Sequence, residues 1–121
     1  MSEIEKMYEN IGIKKLLYCD ICKATEHALG LCAETKCEPF YPPFTAEKQL
    51  ELIKYFSNNY NISINKDNNI FRLLFLDKDG IHNFYTSGVD FAEQLALFVI
   101  SRYKNQILTE EERKQIKEIL E

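Results

Sequence analysis

All four cysteines of the chain fall in one short segment with the spacing Cys19-x2-Cys22-x9-Cys32-x4-Cys37. A two-residue gap lets both sulfurs of a pair turn toward one tetrahedral ion at about 2.3 Å, so a zinc site built from Cys19, Cys22, Cys32 and Cys37 is the leading reading. A second ligand set stays open. Cys19-x2-Cys22-x4-His27-x4-Cys32 has the full spacing of the CCHC zinc knuckle of retroviral nucleocapsid proteins, which would make His27 the alternative ligand and leave Cys37 spare. Asp20, Lys23 and Glu26 stand where that knuckle carries its base-stacking aromatic and its two turn glycines, which argues against both knuckle folding and RNA binding. Disulfides or free thiols form a third reading, opposed by the reducing cytosol expected for this chain. Four protein ligands leave no open position for a catalytic water, so the zinc is expected to be structural, stapling a segment too short to build its own core.

Other residues that could do chemistry read more simply as structure. His82 follows Asp77, Asp79 and Gly80, but Asp-x-Asp-Gly at a hairpin is turn chemistry and lacks the further oxygens and distal Glu of a calcium loop. Glu110-Glu111-Glu112 suits the start of a helix, where the macrodipole favours negative charge. Gly12, Gly30, Gly80 and Gly88 stand alone, so there is no P-loop, nucleophile elbow or dinucleotide turn. No enzyme activity is expected. Phe40, Tyr41 and Phe44 flank the prolines of Glu38-Pro39-Phe40-Tyr41-Pro42-Pro43-Phe44 and form a candidate interface patch, aromatic rings being favoured anchors in protein contacts. The competing and preferred assignment has them covering the join between the cysteine segment and the rest.

The elements that must position these residues follow from periodicity and punctuation. Ser2 with Glu5 opens a helix carrying Ile4, Met7, Tyr8 and Ile11, which Gly12 stops. Thr45 caps a second helix over about 46–58, with Leu50, Ile53 and Phe56 expected on one face. Ile62 and Ile64 alternate with polar residues, residues 66–69 are turn-rich, and Ile70 to Leu76 is nearly continuous apolar, as in a central strand. Asp77-Lys78-Asp79-Gly80 signals a hairpin before a strand Ile81 to Thr86, giving a three-stranded antiparallel meander. Asp90 with Glu93 opens a long helix expected to be heavily covered, and Thr109 with Glu112 opens a final helix docked through Ile116, Ile119 and Leu120. The core is expected within residues 45–121, around Phe75, Leu95 and Phe98.

At 121 residues the chain has room for one core, folding burying roughly two-thirds of its unfolded surface. Its longest apolar run, Leu95 to Ile100, is far short of the ~20 residues that cross a bilayer. The opening Met1-Ser2-Glu3-Ile4-Glu5 lacks the basic-then-apolar order of a signal peptide, so a cytoplasmic location with no membrane partner is expected. Net charge is −4 with no basic arm, which disfavours a non-specific nucleic-acid coat.

The stretches Tyr41-Pro42-Pro43-Phe44-Thr45-Ala46-Glu47-Lys48-Gln49-Leu50, Asp90-Phe91-Ala92-Glu93-Gln94-Leu95-Ala96 and Thr109-Glu110-Glu111-Glu112-Arg113 resemble small accessory proteins of phages and prophages of low-GC bacteria. The likeness covers roughly 41–121, and its helix, sheet, helix order is similar to that of phage α/β/α sandwich domains. It implies a phage accessory role in the host cytoplasm, among which inhibitors of host defence such as anti-CRISPR proteins recur.

The expected fold class is therefore α+β: a three-stranded antiparallel sheet packed with helices, preceded by a short N-terminal helix and a zinc-stapled Cys-rich segment. Residues 1–121 form one compact domain, with 1–44 the helix and cysteine segment and 45–121 the helix-sheet-helix-helix unit. The expected function is non-catalytic binding of a host protein or nucleoprotein complex, such as a defence nuclease. The alternative is a zinc-knuckle-like nucleic-acid-binding accessory protein.

Overall fold

The computed structural model describes residues 2–19, 24–25, 37–80 and 83–121, with the strands at 16–19, 24–25 and 37–40 described as backbone. Among the described residues, four helices and two small antiparallel sheets make an α+β fold. Helix α1, Glu3–Ile11, begins where Ser2 Oγ accepts the Glu5 N–H at 3.2 Å. It ends where Gly12 turns left-handed, φ 93°, and donates its N–H to the Tyr8 and Glu9 carbonyls. Helix α2, Ala46–Phe56, starts on Thr45, whose hydroxyl accepts from Lys48 N.

The main sheet is a meander of β4 (Tyr60–Asp67), β5 (Ile70–Asp77) and β6 (Phe84–Gly88), with β5 in the centre. Asp67 pairs with Ile70 around a two-residue loop in which Asn68 and Asn69 both take positive φ, 49° and 68°. This is the backbone twist of a type I′ hairpin, and asparagine is among the few residues that tolerate it. At the next turn Asp77 accepts the Gly80 N–H through its carbonyl at 2.8 Å and the Asp79 N–H through Oδ1 at 2.9 Å, so the Asp77 carboxylate and the backbone of Asp79 and Gly80 serve the turn. The third strand begins later than the expected Ile81. Asn83 Oδ1 accepts the Asp77 N–H at 3.2 Å, closing the loop with a side chain, and the ladder resumes at Phe84 opposite Phe75. Residues 81–82, including His82, lie outside the described residues.

Helix α3, Phe91–Lys104, is capped by Asp90, and α4, Glu110–Leu120, by a reciprocal capping box between Thr109 and Glu112. α3 is the centre of the molecule, with β5 and β6 against one side and α1 against another, while α4 packs on α1 and α2. Phe75, Leu95 and Phe98 are wholly buried, as expected, but the core is not confined to 45–121: Met7, Tyr8, Ile11 and Ile13 are buried in the same cluster. The inward face of α2 also differs from its expected composition. Leu50 is 58% exposed and Leu52 wholly buried, because the helix turns Leu52 and Phe56 inward, four residues apart.

Polar contacts join the layers. Thr86 Oγ1 donates to Gln94 Oε1, linking β6 to α3 across a buried gap, and Gly88 lies so close to the Gln94 amide that any Cβ there would overlap it. Arg102 is buried with its guanidinium 5.2 Å from the Phe98 ring centre, 5.7 Å from Phe84 and 5.9 Å from Tyr60, a cation–π enclosure.

Tyr8 carries a prediction of its own. Its hydroxyl is buried without a hydrogen-bond partner among the described residues, and burial pushes its pKa up to about 12 from 10. The unfolded chain therefore ionises first, so this stabilising contribution is complete below pH 10 and is lost as pH rises through about 12. Melting curves across that window should show a loss that Tyr8→Phe reduces. At neutral pH the same variant should be neutral or stabilising by ~1 kcal/mol, since it removes an unpaired buried hydroxyl.

Candidate functional site

A second sheet of order β2-β1-β3 lies in the cysteine segment: β1 Leu16–Cys19, β2 Ala24–Thr25 and β3 Cys37–Phe40. Cys19 is the last residue of β1 and pairs with Ala24 on one side and Cys37 on the other. The first and last cysteines of the segment, far apart in sequence, are therefore directly opposed across two antiparallel strands. Pro39 is admissible within β3 because, among the described residues, β3 is an edge of this sheet and its missing N–H need not face a neighbour. Cys22, His27 and Cys32 lie outside the described residues, Cys22 in the connection between β1 and β2. The sequence did not suggest this sheet, because its strands are only two to four residues long and are broken up by Cys, Thr, Glu and Pro without alternation.

Among the aromatic candidates, Tyr41 stacks on Tyr8 with ring centres 5.1 Å apart and 24° between planes, and Phe44 meets the same ring edge-on at 6.4 Å. Tyr41 also donates to Glu9 Oε1 at 3.3 Å, and its pKa is raised, first by burial and then by that carboxylate. Tyr41 and Phe44 thus close the polyproline connector onto α1, while Phe40 ends β3 opposite Leu16.

Two surface features were not anticipated. Side chains on the main sheet alternate, so Leu73 and Phe75 face the core while Ile70, Arg72, Leu74 and Leu76 run down the other face of the central strand. Tyr85 stands opposite Leu74 on that face. Ile70, Leu76 and Tyr85 are 36%, 37% and 57% exposed, and Arg72 is paired with Asp67 at 3.5 Å, leaving an apolar surface with little net charge. The near-continuous apolar run of 70–76 was the available signal: a strand covered on one side only would have alternated. The second feature is a cleft of about 410 Å³ between α3 and α4, lined by Tyr103, Lys104, Gln106, Leu108, Glu110 and Arg113. Arg113 lies over the Tyr103 ring at 5.6 Å, and with Lys104 and Glu110 it lines the cleft with both charge signs. Among the described residues no helix is long and apolar enough to cross a membrane.

Comparison with protein-family models, with curated proteins and with solved structures finds no match to this chain.

Proposed function

We propose that this chain is a non-catalytic interaction protein that binds and modulates a macromolecule of a bacterial host, in the manner of a phage accessory protein directed at a defence nuclease. The observation that carries the reading is the exposed face of β5 and β6, where Ile70, Leu76 and Tyr85 surround Leu74. Exposed apolar groups gathered on one surface mark contact sites, and tyrosine is a preferred anchor in them. The chemistry favours a protein partner over nucleic acid: the one arginine on this face is tied to Asp67, and a phosphate backbone needs a concentration of unpaired cations.

Zinc fits the cysteine segment. Residues directly opposed in an antiparallel pair have Cβ atoms about 4.5–5.5 Å apart, a separation two ligands of one ion can have, and Cys19 and Cys37 hold such positions. Cys22 and Cys32 would complete the set, with His27 the alternative to Cys37. The metal would supply a cross-link holding β1 to β3 and would carry out no reaction.

The test is a pair of pull-downs from host lysate, with the native chain and with Tyr85→Asp, followed by titration of whatever the native chain retains and the variant loses. Binding or inhibition should saturate near a fixed molar ratio, with preincubation mattering only until equilibrium. Progressive inactivation of excess target by a substoichiometric amount would sink the binding reading, as would equal recovery by both chains. RNA binding with a steep salt dependence would instead favour the zinc-knuckle alternative.

A further inference from the structure

The outer edge of β4 pairs with no other strand among the described residues. An eight-residue edge strand with no proline and no bulge in its ladder is a template for another strand, and most proteins blunt such edges. Lys66 and Asp67, at its very end, are the only charged residues it carries.

Which backbone groups face outward follows from the ladder itself. Asn59 O accepts the Lys78 N–H at 3.2 Å across the Tyr60 and Asp77 pair, so the odd-numbered residues of β4 turn their groups toward β5. The two-residue loop closing Asp67 on Ile70 demands the same phase at the other end. The N–H and C=O groups of Tyr60, Ile62, Ile64 and Lys66 therefore point away from the sheet.

The strand also reads the same in both directions about its middle: Asn61-Ile62-Ser63-Ile64-Asn65. We propose that β4 pairs antiparallel with β4 of a second copy of this chain, about a two-fold axis at Ser63, joining the two meanders into one six-stranded sheet. This register sets Ile62 opposite Ile64 of the other copy, Asn61 opposite Asn65, Tyr60 opposite Lys66, and Ser63 opposite itself. It also matches the outward phase. The Ile62 and Ile64 pairs and the Tyr60 and Lys66 pairs are then the hydrogen-bonded ones, using every outward backbone group, while Ser63 falls at a non-bonded position. Ile64, on the helix-facing side of the sheet yet 42% exposed, gains an apolar neighbour. The two-fold stands perpendicular to the sheet, so the helices of both copies lie on one side and the Tyr85 face of both on the other, free for the contact proposed above. The pairing is isologous and closed, ending at two copies.

Sedimentation of the native chain over a range of concentrations should show a monomer–dimer equilibrium. Ile64→Pro removes an outward N–H and an edge side chain without touching the β5 ladder, and should sediment as a monomer with unchanged circular dichroism. Ser63→Cys, oxidised gently, should give a disulfide between residues 63 of two copies, identified by mass spectrometry of the joined peptide, whereas Asn61→Cys should not join to itself. A native chain that stays monomeric throughout, including one whose edge takes up a peptide of another protein instead, overturns the proposal. So does a dimer that survives Ile64→Pro in a folded chain, or a dimer with no link at residue 63. Should Ile64→Pro fail to fold, the Ser63→Cys link decides by itself.

Discussion

Phe98→Ala should destabilise the fold by about 3–5 kcal/mol, the largest effect expected of any single core truncation here. Its ring lies parallel to Phe75 at 3.8 Å between centres and meets Phe56 and Tyr60 edge-on at 4.8 and 5.2 Å, so one side chain joins the sheet, α2 and α3. Removing it opens a cavity bounded by the rings of Phe56, Tyr60, Phe75 and Phe84, which cannot all move inward, and close packing leaves little to fill it. It also removes one wall of the enclosure around the buried Arg102 guanidinium, a group expensive to leave poorly solvated. Leu95→Ala, one turn earlier and equally buried, should cost about 2–5 kcal/mol. Lys78→Ala is the control: its ammonium donates to Asn58 O at an exposed turn, and the change should cost under ~1 kcal/mol. Chemical denaturation of the three variants checks the ranking, and equal small effects would contradict a core centred on Phe98 and Leu95.

The second large effect is expected from metal. Protein purified without added metal should carry about one zinc per chain by elemental analysis. With free zinc a thousandfold above its dissociation constant, binding adds about 4 kcal/mol to the stability of whatever unfolds with it, so chelation should lower the melting point by on the order of 10 °C or more. Cys37→Ser should weaken metal retention and His27→Ala should not; the reverse outcome transfers the site to the three-cysteine set with His27. Because directly opposed strand positions also suit a disulfide, the decisive comparison is chelator against reductant. A melting point that responds to reductant alone rules the zinc out.

Local rules carried most of the fold. The Ser2, Thr45, Asp90 and Thr109 caps each sit at the start of the helix they announced, and the two Asn and Asp turns sit between the strands they separate. Where the structure departs from the expectation, the deciding contact is distant in sequence. Leu50 and Leu52 are equally apolar, and only the position of α4 and the sheet determines which of them turns inward. The burial of α1 depends on α3, with residues 12–90 intervening, and no pattern within residues 3–11 could announce that partner. The opposition of Cys19 and Cys37 likewise depends on a register set by strands too short to carry a period of two. For the candidate sites, the cysteine spacing was legible as metal chemistry, whereas the Tyr85 face and the β4 edge emerged only once the strands had neighbours.

The docking of α1 against α3 also has a consequence for how the molecule is made. In synthesis from the N-terminus, the first helix emerges with Met7, Tyr8 and Ile11 on one side and waits until residue 104 has been added before its partner is complete. Nine residues form too short a helix to persist alone in water, so this segment should fold late although it is made well before its partner α3. Its long-range contact slows assembly in the way that non-local topology does elsewhere. In the finished protein the same junction is the natural place for opening: hydrogen exchange in α1 should be faster than in α3, and the surface it uncovers is the one a chaperone or protease would meet first.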